Sequence, residues 1–261
     1  MELKMSCPSS GRAFRVPILY HDDSMLVVDK PAELPVEPPE DGDFALLPWI
    51  RDAIKREAAS VRPLGLQWVG AAHWVDDGSS GILVIGTSSK ATEALHNQFY
   101  GSRQILTYHA WVHGTPIQES WQMAEKIASD KRRLGLYSVS EARGKKSMTK
   151  AKILHHYPRY TVVELKPFPD RRHQINVHMK ALGHPIVGDE RYGGAPLYLS
   201  QIKPNYRFKK DRDERPLIGR PATHVHDVLI VSPSTEKERR FQASYPKDFE
   251  LAARYLERYS R

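Results

Sequence analysis

A single cysteine, Cys7, stands among 261 residues. One thiol can neither close an internal disulfide nor build a cysteine-rich zinc or iron–sulfur centre. Its isolation fits a reducing compartment, the cytoplasm. No window of 18 apolar residues occurs, so no transmembrane helix is expected and no membrane partner with it. The start, Met1 to Pro8, lacks the apolar core of a secretory signal. Internal repeats and low-complexity tracts are missing too. So is any Pro/Gly/Ser-rich linker that would separate independent domains.

What is present is a basic chain with an ordinary core. Its length is enough for one large or two modest domains, and 40% hydrophobic residues is ordinary for a globular protein. Lys and Arg outnumber Asp and Glu by 39 to 31, a net charge of +8, with a pI near 9.4. Such a balance favours a polyanion, because a basic surface releases counterions condensed on phosphate backbones. It also serves plain solubility, so it shifts the reading only a little.

The pattern along the chain predicts an α+β fold: a mixed, mainly antiparallel sheet flanked by helices. Residues 1–16 read as a flexible arm and 17–261 as one catalytic domain. Pro17 to Tyr20 and Met25 to Lys30 form a hairpin of buried strands around His21-Asp22-Asp23-Ser24. Pro48 opens a helix to about Ser60, and Ser88 or Ser89 caps another that buries Ala91, Ala94, Leu95 and Phe99. Ile105 to His113 alternates as a half-buried strand, and 129–147 is a charged, solvated loop or hairpin. Strands are expected at 148–156, 160–166, 225–231 and 239–244, with irregular chain over 193–222. A helix at 172–182 ends on Gly183, and a last one begins after Pro246.

The chemistry concentrates in two stretches. His73-Trp74-Val75-Asp76-Asp77-Gly78-Ser79-Ser80-Gly81 is a polar loop with two carboxylates, followed at once by the core run Ile82-Leu83-Val84-Ile85. A carboxylate on a loop rooted in a buried strand has a rigid base; the plainer alternative is a tight turn in which Asp caps backbone N–H groups. Phe168-Pro169-Asp170-Arg171-Arg172-His173-Gln174-Ile175 puts two arginines and a histidine at a helix start. Cations there oppose the macrodipole at ~0.3–1 kcal/mol each. An acidic partner or an RNA phosphate would offset that cost, as would a local pairing with Asp170 and Asp189.

Four stretches together resemble the RluA-type family of RNA pseudouridine synthases. Met25-Leu26-Val27-Val28-Asp29-Lys30-Pro31 is similar to its hydrophobic-Asn-Lys-Pro opening. The His73–Gly81 loop resembles His-Arg-Leu-Asp-x-x-Thr-Ser-Gly, and Tyr108 to Gly114 resembles the strand bearing the family's tyrosine. Arg171 to Ile175 resembles Gly-Arg-Thr-His-Gln-Ile-Arg, and the likeness continues through Leu182 to Gly193. The resemblance covers the chain from about residue 17, with too little before it for an S4-type RNA-binding domain.

It implies an isomerase that needs no cofactor and no metal, acting on uridines of tRNA or rRNA; with no heptads and no long apolar helix face left over, a monomer is expected. Asp76, not Asp77, becomes the catalytic carboxylate, Arg171 the cation that keeps it ionised, and Tyr108 the ring stacked on the target base. His73, Trp74, Arg172, His173 and Ile175 become RNA- or base-binding residues. Of the twelve histidines, His224 and His226 have the spacing for a shared metal. Core or RNA-facing roles suit them better in chemistry without a cofactor. Departures from the pattern are plain. Trp74 replaces an arginine that helps displace the target base, Asp170 replaces glycine, Asn176 replaces arginine, Glu33 replaces glycine, and Leu106 replaces a basic residue. Lost cations leave a second reading open, an RNA-binding relative with weak or no isomerase activity that assists ribosome assembly or RNA folding. The basic loops at 131–146 and 203–215 are the expected RNA surface.

Overall fold

The computed structural model describes residues 1–261 apart from 40, 41, 43, 102, 104, 209–212, 260 and 261. In chain order the strands begin with β1 (Glu2–Ser6), β2 (Ala13–His21) and β3 (Met25–Lys30), and then α1 (Leu46–Lys55) follows. Next come β4 (Gly70–Ala71), β5 (Ser80–Gly86), α2 (Ser89–Tyr100) and β6 (Leu106–His113). Then follow β7 (Ser120–Met123), β8 (Ile127–Ser129), β9 (Tyr137–Val139), β10 (Met148–Tyr157), β11 (Tyr160–Phe168) and α3 (Gln174–Ala181). The chain closes with β12 (Thr223–Val231), β13 (Glu238–Gln242) and α4 (Lys247–Tyr259). The result is mixed α and β with mainly antiparallel strand pairs, as the pattern predicts.

Contacts divide the chain into two compact units, although no linker marks the division. One comprises Met1–Leu106 with Val225–Ser244, the other Thr107–His224 with Tyr245–Arg261. In the first the strands run β1-β2-β3-β5-β12, with β4 beside β5 and β13 beside β12. β5 is buried along its whole length, which is why its sequence is an unbroken apolar run and not an alternating one. Each of Ile82, Leu83, Val84 and Ile85 contributes roughly 1.5–3 kcal/mol through burial. β5 is the floor on which the loop before it rests.

Two expectations for this unit need correction. Residues 1–16 are not an arm: β1 pairs antiparallel with β2 from Glu2↔Pro17 to Ser6↔Ala13. Leu3, Met5, Phe14 and Val16 are buried along that pair. α1 also begins earlier and ends sooner than Pro48 to Ser60 suggests. Pro48 sits in its first turn, where a missing N–H costs nothing because those donors have no partner within the helix. Glu57, at φ 49°, has already left the helix. The second helix keeps to its reading, with the Ser88 side chain accepting from Ala91 N–H at 3.1 Å, although Ala94 faces solvent.

In the second unit the strands run β6-β11-β10-β7, and β8 with β9 forms a separate two-stranded ribbon. β6 is buried on both faces, not half-buried. The face bearing His109 and Trp111 is covered from the C-terminal end of the chain. His109 hydrogen-bonds the Tyr245 hydroxyl at 2.6 Å, and Phe249 of α4 meets Trp111 edge-on at 6.2 Å. α3 lies against β10, where Gln174 Nε2 donates to the Met148 carbonyl at 2.9 Å and His178 Nδ1 pairs with Thr149 Oγ1 at 2.8 Å. The helix ends where Gly183 takes φ 85°, the left-handed C′ conformation that glycine adopts without strain.

Candidate active site

In the first unit, the loop before β5 is held from both ends. Ala72 N–H bonds the Val84 carbonyl at 3.0 Å, and Val84 N–H donates to His73 Nε2 at 3.1 Å. The His73 ring stacks on Phe99 at 4.3 Å, and burial pulls its pKa down to about 3. A neutral ring accepting at Nε2 carries its proton on Nδ1. His73 is only 3% exposed. The expectation that it binds RNA is therefore corrected: it fastens the loop to the core strand.

Asp76 stands half-buried at the crest of that loop, while Asp77 is exposed. Trp74 Nε1–H donates to Asp76 Oδ1 at 2.9 Å, and the Asp76 carbonyl accepts Ser79 N–H at 3.0 Å. Trp74 thus puts a neutral donor on the carboxylate from the position where the resembling family has a cation. A hydrogen bond to a charged group of this kind favours the ionised form and fixes its rotamer. Gly81 closes the loop at φ 103°, and a Cβ there would collide with the Val225 carbonyl.

Lys30 is the residue whose importance the sequence reading missed. It is 1% exposed, and its ammonium donates to the carbonyls of Pro31 at 3.0 Å, Leu34 at 2.9 Å and Ser79 at 2.6 Å. Three donors meet three acceptors, which is what allows a charge to be buried there. The Ser79 bond reaches into the Asp76 loop from 49 residues away. The signal that could have found it was a lysine closing a strand that opens Met25-Leu26-Val27-Val28, followed at once by Pro31.

The second unit holds the other group. Tyr108 faces Leu165 across the β6–β11 register, is 5% exposed, and donates its hydroxyl to Asp170 Oδ2 at 3.1 Å. Asp170 is itself 8% exposed and follows the cis Phe168–Pro169 bond where the chain leaves β11. In sequence it is merely a lost glycine; in the fold it is the acceptor for the candidate tyrosine.

α3 begins at Gln174, two residues later than expected, so both arginines precede the helix and the macrodipole cost falls accordingly. Arg171 is half-buried, and its Nε donates to the Lys146 carbonyl at 2.9 Å. Arg172 is exposed, as an RNA contact requires. His173 is not: it is 2% exposed, sits at φ 55° and bonds the Tyr192 hydroxyl through Nδ1 at 2.7 Å. Burial first, then the Arg191 and Arg172 charges, hold its pKa down at about 4. Its expected RNA-binding role is corrected to a structural one. Ile175 is 4% exposed on the buried side of α3.

The lost arginine at 176 is an interior change, since Asn176 Nδ2 donates to buried Asp189 at 2.6 Å. Of the basic loops, residues 131–135 are exposed. Lys209, Lys210 and Arg212 lie outside the described residues. Among the described residues, no group of three His, Cys, Asp or Glu side chains is arranged to hold a metal ion.

These features can be set against known proteins. The family model of RNA pseudouridylate synthase matches residues 24–181, a span that includes Asp76, Tyr108 and Arg171. An uncharacterized RNA pseudouridine synthase of Chlorobaculum parvum is 30% identical over 246 residues, covering 90% of this chain and 72% of that protein. Ribosomal large subunit pseudouridine synthase D of Zymomonas mobilis is 27% identical over 245 residues, covering 92% and 72%. Synthase C of Haemophilus ducreyi is 32% identical over 233 residues, covering 85% and 63%. Human RNA Pseudouridylate Synthase Domain Containing 4 shares the fold, with a TM-score of 0.67 at 17% identity over 92% of each chain. By the family match and by these relatives, the chain belongs to the RluA-type RNA pseudouridine synthases, isomerases that act on RNA.

Proposed function

We propose that this chain converts particular uridines of ribosomal RNA to pseudouridine without any cofactor, using Asp76, Tyr108 and Arg171. The observation that carries the reading is the Asp76 carboxylate, half-buried on a loop rooted in β5, with one oxygen held by Trp74 at 2.9 Å. Isomerisation breaks the N1–C1′ bond, turns the base and joins C5 to C1′. The product has the atoms of the substrate, so the reaction consumes no second reagent. An ionised carboxylate serves as nucleophile or base at the sugar, and Asp76 is the candidate. Arg171 supplies the cation that the resemblance assigns to that acid, and Arg172 is the exposed charge for a phosphate.

A uridine must leave its stack to be reached. Tyr108 offers a ring against it, worth ~1–3 kcal/mol per stacked base. By the resemblance, Ile175 is the apolar residue set against the base. The relatives named for the large ribosomal subunit favour rRNA over tRNA as substrate. The same proposal sets the protein in the cytoplasm, where its RNA is, working as a monomer.

Trp74 favours a second reading. Without the arginine that helps displace the base, the chain would bind RNA and modify little of it. Transcriptome-wide pseudouridine mapping decides between them, in a strain deleted for the gene and then supplied with wild type or Asp76→Asn. Our reading expects a pseudouridine that vanishes on deletion, returns with wild type and stays absent with Asp76→Asn. A deletion strain with every pseudouridine intact would sustain the binding reading, and full activity of Asp76→Asn would remove Asp76 from the mechanism. A lost site in a tRNA would correct the substrate.

A further inference from the structure

Asp170 is a buried carboxylate to which the proposed chemistry gives no part. A buried tyrosine hydroxyl needs one acceptor, and a backbone carbonyl meets that need without desolvating a charge. Here the acceptor is instead an acid, 8% exposed, with Oδ2 3.1 Å from the Tyr108 oxygen. Both partners are fixed. Tyr108 sits inside β6, in register with Leu165 of β11. Asp170 sits in the turn that links β11 to α3, one residue before Arg171, whose Nε is tied to the Lys146 carbonyl.

The reaction leaves a task for such a pair. Once C5 is bonded to C1′, that carbon still holds its hydrogen, and the ring stays out of conjugation until the proton leaves. Resting on the function proposed above, the geometry points to Asp170 as the acceptor that receives this proton through the Tyr108 hydroxyl. The C5–H bond breaks and its proton passes to the Tyr108 oxygen, while the Tyr108 O–H proton passes to Asp170 Oδ2. The C5–H electron pair becomes the C5=C6 double bond. The N1=C6 pair moves onto N1, which takes a proton from water. Tyr108 ends neutral, as it began, and Asp170 ends as a carboxylic acid that later loses its proton to solvent. Asp170 is a positioning and proton-accepting residue that acts through Tyr108 and has no contact of its own with the base.

The test uses the full chain and a short transcript around the mapped uridine, made once with hydrogen and once with deuterium at C5. Asp170→Asn keeps an oxygen for Tyr108 but cannot take a proton. Asp170→Gly restores the residue usual at that position and guards against a folding defect. We expect kcat to fall about 10- to 100-fold in both, as for a lost general base acting at one remove, with KM unchanged. The C5 deuterium isotope effect should be larger than in wild type, Asp170→Glu should recover part of the rate, and in a Tyr108→Phe background Asp170→Asn should cost nothing more. Wild-type kcat in Asp170→Asn, or a slower variant with an unaltered isotope effect, overturns the inference alone. A wild-type protein that makes no pseudouridine overturns both this inference and the function it rests on.

Discussion

The two units hold their key polar groups in different ways. In the loop before β5, Trp74 reaches Asp76 across two residues, so the bond depends on the local path of the chain. In the other unit, Tyr108 reaches Asp170 across 62 residues, so that bond exists only when β6 lies in register on β11 and the turn after β11 is closed. The first is set by a short stretch, the second by the fold. The contrast is sharpened by Lys30, which ties the local loop to a distant strand through the Ser79 carbonyl. His73, stacked on Phe99, adds a second tie of that kind.

The largest expected effect follows from that tie. Lys30→Met takes the ammonium away from the Leu34, Ser79 and Pro31 carbonyls, of which Pro31 keeps the Leu34 N–H at 3.3 Å, and should cost about 3 kcal/mol or more, read as a lower denaturant midpoint. Hydrogen exchange should rise first at residues 73–81 while β10 and β11 keep their protection. Equal loss in both units would show that the loop is not separable from the rest.

Next comes Trp74. Trp74→Phe keeps a ring but removes the donor, and a hydrogen bond to a charged group is worth about 1.5–3 kcal/mol. Turnover should fall by roughly 10- to 100-fold with stability nearly unchanged, and Trp74→Arg should recover a part of it. If Phe turns over as fast as wild type, the indole N–H does not serve Asp76.

A smaller effect of opposite sign concerns Asp29, whose carboxyl is pushed up to about 6 by burial, with Lys30 opposing. The fold favours the neutral acid, so it is unpenalised below the unfolded value near 4. Stability is lost as pH rises from there through about 6. Asp29→Asn, the residue usual before Lys-Pro, should therefore stabilise the protein at pH 7 by about 1 kcal/mol after allowance for partial exposure. At pH 4 the gain should vanish in parallel thermal melts.

The mildest test is acid. His73 and His173 are both held neutral by burial, at about 3 and about 4. Stability tied to them is full above their unfolded value near 6.5 and drains as pH falls below it. Protection at the Val84 amide and in α3 should both weaken as pH falls below about 6. Protection in either that holds down to strong acid would show that its ring is not what fastens it.

These cases also show what sequence alone makes legible. β5 was plain because an unbroken Ile-Leu-Val-Ile run between glycines has few other uses, and α2 announced itself through Ser88. The Asp76 loop was legible because its chemistry is contiguous. β1 was not, since five residues with two buried side chains give too short an alternation to stand against a polar start. The outer face of β6 misled because its cover arrives from α4, more than a hundred residues away. His73 and His173 read as RNA ligands for the same reason: a histidine's burial is decided by neighbours such as Phe99 and Tyr192, which no local pattern names. Lys30 and Asp170 were visible only as letters in a motif, because their meaning is a distance.

β1 has a practical corollary. It forms the outermost strand of its unit, with Met1 and Ile18 already joined through the backbone. A version trimmed to residue 17 would remove β1 together with the half of β2 it pairs with, losing the buried Leu3, Met5, Phe14 and Val16 and leaving the Ile18 N–H on a bare edge without its Met1 acceptor. Bare edges of that sort recruit strands from other molecules. Aggregation on expression would then report a cut in the wrong place and nothing about the enzyme.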